Sequence, residues 1–533
     1  MRLAPFLLLR VASALVNNQT YSAECATPTN CTLVPGRTDA ALAWGRFDDG
    51  IERVGSADLW ISSATVSVGA GFAAGYVEGA LCAERIAQHY ANLAAAYGVD
   101  PPSANLTAFL DANDAWLDEQ LAGAPEGDAY WGAIAFVRAQ LDGLAAGYAL
   151  GRAALAAAPP PLTRRQLLML NLQGDLTDVL KAVDPASRPD ARAMSDGALR
   201  RYTRQSTHCS ALVKLAADFS ELYVGHNMWW GWYVMLPVNK RYAFGAPAYP
   251  HFAAVLMTSY PGMLASTDDF YVVPSTRLAV METTNPNYNA SSYDLVTPRA
   301  VLYFARVMAA NYLARNGSAW MDLAARHNSG TYNNMWMVVD YKLFTPRRSL
   351  PPGTLWVGEQ APGYWHAEDM THVLAYGHWP SYNKALFAMT ARITGQDAVA
   401  AERGEYYGYS LTPRAEIFRR DAGGVANETG MARLLRYNRW QTDPLANGSA
   451  CDQLACRADL LVDETPAADG AVNAKFTSAS RVARGEMRFI AGPTSDDQPV
   501  FQWSTAPASV RAEPHAGQPD RWDFPWQTLQ LEG

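Results

Sequence analysis

The residues best suited to chemistry are one cysteine and the polar turns that follow it along the chain. Cys209 follows His208 and lies between an arginine-rich segment and a run of apolar residues. A thiol there can attack the carbonyl carbon of His208 and form a thioester, whose hydrolysis leaves Cys209 with a free α-amine able to act as its base. The reference pKa values of this amine and the thiol are similar, about 7.7–8.0 and about 8.5. The alternative is an inert buried cysteine, a common state of a free thiol.

The segment before Cys209 predicts an exposed loop. Residues 185–206 contain five arginines and two prolines and show almost no apolar periodicity. Spaced apolar residues return from Ser210, and residues 223–236 are mainly aromatic and β-branched, which predicts strands. We therefore expect a removable linker near 185–208, a cleavage site between His208 and Cys209, and a first strand that begins at the nucleophile.

His226 and Trp229 are the first candidates to flank the thiol. They follow Cys209 by 17 and 20 residues, a separation that suits a hairpin returning to the start of the first strand. Histidine can orient an amine or polarise a carbonyl, and tryptophan offers an apolar wall with one hydrogen-bond donor. The alternative is structural, with His226 as a satisfied polar residue at a strand end and Trp229 in the core.

Side-chain amides supply the candidates for oxyanion binding. Residues 328–334, NSGTYNN, precede an apolar run, which predicts a turn feeding a strand. Loss of an amide that binds an oxyanion costs about 2.7–4 kcal/mol, which makes Asn333 and Asn334 candidates. The same turn has a structural explanation, because Asn and Gly tolerate positive φ. Thr284 and Asn285 follow another strand-like run and are candidates for the same rim.

Composition, charge and motif content restrict the class of protein. A net charge of -8 and a pI near 5.6 argue against a nucleic-acid partner. The chain has no apolar run long enough for a transmembrane helix. It also lacks CxxC, HExxH, GxSxG and GxGxxG motifs, so we predict no metal and no cofactor. Arg414 has a guanidinium that can bind a carboxylate or phosphate with two hydrogen bonds, although exposed arginines near helix starts are common.

Several features predict passage through the secretory pathway, to a lysosomal or secreted location. Residues 1–15 have the charge, apolar stretch and Ala-Ser-Ala site of a possible signal peptide. Short spacings favour the disulfides Cys25–Cys31 and Cys451–Cys456, which leave Cys82 and Cys209 free. A Cys82–Cys209 disulfide would instead exclude the nucleophile. The predicted N-glycosylation sites, each in an N-x-S/T sequon, are Asn18, Asn30, Asn105, Asn289, Asn316, Asn427 and Asn447.

Ordered motifs along most of the chain carry a family resemblance. They include GYVEG from Gly75, LNLQGDLTDVL from Leu170, HCSALVK from His208, ELYVGHNMWWGWYVML from Glu221, SYPGMLASTDDFYV from Ser259, ETTNPNYN from Glu282, NSGTYNNMWMVVD from Asn328, GTLWVGEQAPG from Gly353, WPSYN from Trp379 and LTPRAEIFRRD from Leu411. From about Ala64 onward the sequence resembles the phospholipase B-like, or lamina ancestor, family. Members of that family resemble N-terminal nucleophile hydrolases.

The resemblance implies a fold and an activity. The implied fold is α+β, a four-layer αββα sandwich of two stacked antiparallel sheets covered by helices. One large domain would consist of two associated fragments, residues 16–208 and 209–533. The implied activity is removal of acyl chains from phospholipids through a thioester on Cys209, with Asn334 or Asn333 at the oxyanion. Alternatives are an amidase of the same class and a binding glycoprotein without turnover.

Helical and strand-like patterns occupy different parts of the chain. Helical patterns dominate residues 73–180, and strand-like runs dominate residues 223–357. The segment from Arg488 predicts further strands and turns. These patterns are compatible with two sheets whose strand ends surround Cys209.

Overall fold

The computed structural model describes residues 15–207, 209–245, 252–462 and 464–531. Residues 1–14 of the predicted signal peptide and His208 of the predicted cleavage site lie outside the described residues. Among the described helices, none combines the length and apolar composition needed to cross a bilayer.

The strands form two main sheets and one short pair. In chain order they are β1 Thr20–Thr27, β2 Asn30–Pro35, β3 Ala43–Asp48, β4 Ala57–Ser63, β5 Ser210–Leu215, β6 Leu222–Gly231, β7 Val238–Phe244, β8 Val255–Ser259, β9 Phe270–Val273, β10 Leu278–Thr284, β11 Asn334–Asp340, β12 Leu355–Ala361, β13 Tyr364–Asp369, β14 His378–Ser381, β15 Asp469–Ser478, β16 Glu486–Ala491, β17 Phe501–Gln502, β18 Arg521–Trp522 and β19 Gln527–Gln530.

The larger sheet has 11 strands in the order β13-β12-β11-β10-β9-β8-β7-β4-β3-β1-β2. Its neighbours are antiparallel except for β4 and β7, which are parallel. The expectation of two wholly antiparallel sheets is therefore wrong at this pair. Because β4 and β7 lie far apart in the sequence and are joined by the helical region, their relative direction is not set by a hairpin.

The smaller sheet has 6 strands in the order β14-β5-β6-β15-β16-β19, and all its neighbours are antiparallel. Strands β5 and β6 form the hairpin that the sequence predicts, with Ala211 opposite His226. Every residue of β5 is buried, because both of its faces are covered.

Helices account for most of the chain between the first strands and β5. The helices are α1 Ile51–Val54, α2 Val68–Leu81, α3 Ala83–Tyr97, α4 Ala104–Gly123, α5 Ala129–Ala154, α6 Arg164–Asn171, α7 Gln173–Val183, α8 Asp196–Ser206, α9 Tyr303–Leu313, α10 Gly317–Ala325, α11 Thr371–Leu374, α12 Ala388–Ile393, α13 Gln396–Arg403, α14 Pro413–Asp421, α15 Glu428–Leu435, α16 Ala479–Val482 and α17 Ala508–Arg511. The helical prediction for residues 73–180 is thus confirmed, whereas α9 and α10 interrupt the region predicted as strands.

Helices α2 and α5 pack with their backbones in contact. Both carry a glycine at every fourth position along the shared face, at residues 71, 75 and 79 and at residues 143, 147 and 151. A Cβ on Gly75 would lie 1.8 Å from the carbonyl oxygen of Gln140, and a Cβ on Gly143 would lie 1.9 Å from that of Phe72. No larger residue fits this crossing without separating the helices.

The two main sheets contact each other through side chains, and helices pack against both. The Thr283 hydroxyl of β10 lies 2.5 Å from the Ser381 hydroxyl of β14. Helix α2 packs on β1, β3 and β4, whereas α14 packs on β14 and α15 packs on β6 and β15. The protein is therefore α+β, with contacts between the sheets near Cys209.

The segment before Cys209 is more ordered than the predicted loop. Helix α8 begins after Ser195, whose hydroxyl accepts a hydrogen bond from the Ala198 amide, and it buries Leu199. The Tyr202 hydroxyl donates to the Asn287 carbonyl over 2.7 Å. The loop expectation is wrong for residues 196–206, because their few apolar side chains contact the domain while the arginines remain at the surface or pair with acids.

Candidate active site

Cys209 lies between the end of α8 and the start of β5. Its side chain is fully buried, and its backbone has a φ of +88°, in the region that side chains other than glycine rarely adopt. The β5–β6 register places the thiol beside Met228, with Sγ 3.4 Å from Sδ. The thiol therefore points between the two main sheets.

His226 lies on the face of the smaller sheet that carries the Cys209 thiol, and it pairs with Ala211 across the β5–β6 hairpin. Its Nε2 is 3.0 Å from the backbone carbonyl oxygen of Glu282, so Nε2 is the nitrogen that donates. Its Nδ1 is buried and has no hydrogen-bond partner among the described residues. Burial, with the charge of Lys475, lowers the pKa of His226 well below its usual value, so the imidazole is neutral.

Glu282 is the residue of this site that sequence reasoning missed. Its Oε1 lies 3.7 Å from the Cys209 Sγ and accepts from the Tyr332 hydroxyl at 3.3 Å. Its Oε2 accepts from the Thr284 hydroxyl at 3.2 Å. Burial and the neighbouring Asp269 raise the pKa of Glu282 well above its usual value. In its ionised form, a carboxyl of raised pKa is a stronger base than an ordinary one, and at this distance from the thiol it can accept the thiol proton.

Burial and the Glu282 charge raise the pKa of the Cys209 thiol well above its usual value. Two groups act in the opposite direction: the ammonium of Lys475 and the backbone N–H of Trp229, which bonds to the sulfur. Lys475 is itself fully buried and pairs with Asp268, with 3.4 Å between Nζ and Oδ1. The thiol of the intact chain is therefore neutral and needs a base to become a nucleophile.

The backbone N–H of Trp229 bonds to the Cys209 sulfur, while the Trp229 indole lies on the other face of the sheet. The indole N–H donates to the Leu454 carbonyl over 3.0 Å. The Arg414 guanidinium lies 4.3 Å from the centre of the ring. Trp229 thus does not form the wall beside the thiol that the spacing suggested.

Arg414 is buried and is bound to the backbone of the nucleophile. Its Nη1 donates to the Cys209 carbonyl oxygen over 2.7 Å and to the Ser210 hydroxyl over 3.2 Å. Burial lowers the pKa of Arg414 to about 10. Arg414 therefore contacts the backbone of Cys209 and is a candidate positioning residue.

The candidate amides are placed differently from one another. Asn334 begins β11 opposite Thr284, and opposed residues share a sheet face, so Asn334 lies on the face that carries Glu282. Neither amide atom of Asn334 has a partner among the described residues. The Asn333 amide instead donates to the Gly330 carbonyl over 3.0 Å. This placement favours Asn334 over Asn333 as the oxyanion donor.

Two small cavities flank the nucleophile, and residues of the linker line both. One, of about 30 Å³, is lined by Gln205, Ser206, Trp230, Thr284 and Asn285, among others. Both amide atoms of Asn285 are unpartnered within the described chain. The other cavity, of about 60 Å³, lies on the Trp229 side. Helix α8 therefore covers two openings beside Cys209.

Cys209, His226 and Glu282 offer ligand atoms that all lie within 4.8 Å of one another. Thiolate, imidazole and carboxylate are the donors that Zn²⁺ takes in proteins. The sequence predicted no metal site because these residues have no local ligand spacing. A cation bound there would cover the thiol.

Both predicted disulfides are confirmed, between Cys25 and Cys31 and between Cys451 and Cys456. Cys82 is free and buried, as is Cys209. The Cys82–Cys209 disulfide that would exclude Cys209 as the nucleophile is therefore absent from the described residues.

The sequon asparagines divide into two groups by exposure. Asn289 is half-buried, and its amide nitrogen donates to the Ile393 carbonyl over 2.9 Å. The exposed ones are Asn18, Asn30, Asn105, Asn316, Asn427 and Asn447. Glycosylation stays a prediction for all of them, and the six exposed sites are the more accessible.

The site thus sets a buried cysteine against a carboxyl and an imidazole between the two sheets of an α+β fold, a set of groups that hydrolases use. The phospholipase B family model matches residues 43–529, and the chain belongs to this family. It is 35% identical over 518 residues to phospholipase B-like protein B of Dictyostelium discoideum, covering 95% of this chain and 88% of that protein.

Similarity extends to animal proteins. The chain is 33% identical over 463 residues to phospholipase B-like 1 of Homo sapiens, covering 86% of this chain and 81% of that protein. It is 32% identical over 497 residues to phospholipase B-like 1 of Rattus norvegicus, covering 92% of this chain and 87% of that protein.

Proposed function

We propose that this protein is an acyl hydrolase that cuts its own chain before Cys209 and then removes acyl chains from phospholipids through a thioester on that residue. The observation that carries the proposal is Cys209 itself. It combines a positive φ, complete burial and a thiol set against Glu282 and His226. Backbone strain of this kind clusters at sites of function.

The proposed architecture is the four-layer αββα sandwich of N-terminal nucleophile hydrolases. Contacts between β10 and β5 support stacking of the two sheets, and helices pack against each sheet. In this arrangement the domain consists of fragments 16–208 and 209–533, which stay associated because strands β4 and β7 pair across the cut.

Self-cleavage begins with transfer of the thiol proton to the Glu282 carboxylate. The sulfur then adds to the carbonyl carbon of residue 208 and forms a C–S bond, and the C–N bond to Cys209 breaks as the nitrogen takes the proton from Glu282. Water hydrolyses the thioester, which leaves a carboxyl group on residue 208 and a free thiol and amine on Cys209. Arg414 holds the Cys209 carbonyl oxygen throughout, which limits rotation of the nucleophile.

Turnover uses the new α-amine in place of Glu282. The amine accepts the thiol proton, and the sulfur adds to the ester carbonyl carbon of the substrate. The Asn334 amide donates to the oxyanion. The ester C–O bond then breaks, and the departing alcohol takes the proton from the ammonium. Water attacks the thioester with the amine as base, releasing the fatty acid and restoring the thiol.

We also propose a lysosomal or secreted location. Two disulfides support an oxidising compartment, and the exposed sequons are compatible with glycosylation on that route. A phospholipid substrate is supported by the family to which the chain belongs.

Intact mass and N-terminal sequencing test the proposal, on protein secreted from cells and incubated at pH 5 and pH 7. The wild type should yield a fragment that begins at Cys209, and Cys209→Ala should remain whole. Cys82→Ala is the matched control, since it removes the other free, buried cysteine. The cut protein should release fatty acid from phospholipid vesicles.

Three outcomes separate the alternatives. A wild-type chain that stays whole and inactive would contradict the proposal and favour a binding glycoprotein. A cut chain that hydrolyses acyl amides but not esters would favour an amidase. Loss of cutting in Cys82→Ala as well would show that the loss of cutting in Cys209→Ala is not specific to Cys209.

A further inference from the structure

The cavity on the Trp229 side of Cys209 carries charges of both signs, on buried Lys384 and Arg414 and on half-buried Asp452. Its walls include Lys384, Tyr406, Arg414 and Asp452, and linker residues of α8 close it from one side. The bond from Arg414 to the Cys209 carbonyl connects this cavity to the nucleophile. The mechanism proposed above uses neither Lys384 nor Asp452.

One wall is built to bind an anion. Lys384 is 5% exposed, and its Nζ donates to the Tyr407 carbonyl oxygen over 3.0 Å. Among the described residues, Asp452 is the acid whose charge acts on Lys384, and the two form no ion pair. Helix α14, of 9 residues, begins in the same wall, and no side chain caps its N-terminus. A buried ammonium, the Arg414 guanidinium and a helix N-terminus together favour a phosphate.

A second wall of the cavity has the groups that bind a cation. Asp452 accepts a hydrogen bond from the Tyr406 hydroxyl over 2.8 Å. The guanidinium of Arg200, which belongs to the linker, lies 5.2 Å from the centre of the Tyr406 ring. Burial raises the pKa of Asp452 to about 6, and the Arg200 charge acts in the opposite direction. An aromatic face beside a carboxylate is the usual setting for binding an ammonium group.

Removal of the linker would take Arg200 out of this wall. Arg204 would leave with it, and it now pairs with Glu464 over 3.1 Å. The vacated wall then presents acids and an aromatic ring, while Lys384 and Arg414 stay in place. An anion alone would satisfy one wall and leave the other without a partner.

We propose that this cavity, once the linker has left, binds the zwitterionic phosphodiester headgroup of a phospholipid. The phosphate contacts Lys384, Arg414 and the start of α14, and the ammonium takes the place of Arg200 between Tyr406 and Asp452. In the uncut chain Arg200 occupies the ammonium position. The inference rests on the proposed function, because it requires the cut before Cys209, and it also requires loss of the removable linker that the sequence predicts near 185–208.

Titration calorimetry on protein that is cut before Cys209 and has lost residues 185–208, as checked by intact mass, tests the site with ligands that contain no acyl ester. Glycerophosphocholine carries both charges, whereas glycerol 3-phosphate carries the phosphate alone. We expect Asp452→Asn to weaken glycerophosphocholine at least about tenfold and to leave glycerol 3-phosphate unchanged, since a charge-assisted contact is worth about 1.5–3 kcal/mol. Lys384→Met should weaken both ligands by a similar factor.

Two controls keep the result interpretable. Lys384→Arg retains the charge and should bind both ligands, which separates loss of the ammonium from loss of folding. Lys342→Met removes a half-exposed lysine, 41% accessible, whose contacts lie outside the cavity, and should change neither affinity.

An activity assay on lipid vesicles identifies the source of the headgroup. For vesicles of phosphatidylcholine and of phosphatidylglycerol, the ratio of the two kcat/KM values should fall at least about tenfold in Asp452→Asn. If glycerophosphocholine binds but this ratio does not change, the assignment of the cavity to a lipid headgroup is overturned. The cavity would then be assigned to a free phosphodiester.

Failure of the site and failure of the proposed function give different results. A cut, active protein in which Asp452→Asn binds both soluble ligands like the wild type would overturn the inference alone. A chain that stays whole by mass keeps Arg200 in the cavity and overturns both.

Discussion

Asn334→Ala should slow catalysis strongly while leaving the fold intact. An amide that binds an oxyanion contributes about 2.7–4 kcal/mol to the transition state, which corresponds to a loss of about 10²–10³ in rate. The free energy of unfolding should change little, because neither amide atom of Asn334 has a partner among the described residues. Removing an unpartnered buried amide relieves a desolvation cost and breaks no hydrogen bond.

Asn333→Ala is the matched comparison at the neighbouring position. Its amide donates to the Gly330 carbonyl and, over 3.4 Å, to the Asp178 carboxylate. Losing these bonds should lower the free energy of unfolding by about 1–3 kcal/mol. The rate should fall much less than in Asn334→Ala.

The assays are the rate at which the fragment beginning at Cys209 appears, the release of fatty acid by the cut protein, and urea unfolding. Wild-type rates in Asn334→Ala would refute the oxyanion role. A large loss of stability in Asn334→Ala would refute the structural basis of the prediction, since it would show hidden contacts of that amide.

Three further predictions concern pH, packing and positioning. Burial raises the pKa of Glu359 to about 7. The native state therefore holds a proton between about pH 4.3 and 7 that the unfolded state lacks, and stability falls as the pH rises through this window. Glu359→Gln should flatten this part of the urea stability profile, by up to about 3 kcal/mol between its ends, and an unchanged profile would contradict the assignment. Gly75→Ala should destabilise the protein by about 3 kcal/mol or more, whereas Gly132→Ala, at an exposed position of α5 with open space around it, should be neutral or slightly stabilising, and equal thermal shifts would contradict the packing. Arg414→Lys should slow the appearance of the cut fragment at least about tenfold, because lysine cannot reproduce the planar fork at the nucleophile, and a wild-type rate on gel densitometry would contradict the positioning role.

Sequence patterns predicted the parts of the site that depend on local order. The hairpin that brings His226 back beside the start of β5 follows from the spacing of two apolar runs. The strand after residues 328–334 and both short-loop disulfides follow from turn composition and cysteine spacing. Each of these features involves residues close together in the chain.

The remaining features depend on contacts between distant segments. Glu282 follows Cys209 by 73 residues, and nothing in the local pattern says that β10 faces β5. A signal was nonetheless present, because Glu282 directly follows the apolar run Leu278–Met281, and a charged residue there must be paired if the strand is buried. The sequence did not predict the helix at residues 196–206, because its arginines leave too few apolar side chains to show a helical periodicity.

The unusual torsion at Cys209 has a thermodynamic consequence for a chain that cuts itself. The angle φ is defined by the carbonyl carbon of the preceding residue, so a Cys209 that begins a new chain has no φ. The cost of the intact conformation, about 1–3 kcal/mol, then disappears with the bond that imposed it. Rejoining the two ends would have to restore that cost as well as remake the peptide bond. If the chain is cut at this residue as proposed, release of the strain opposes rejoining, and part of the driving force for the cut is stored in the intact fold.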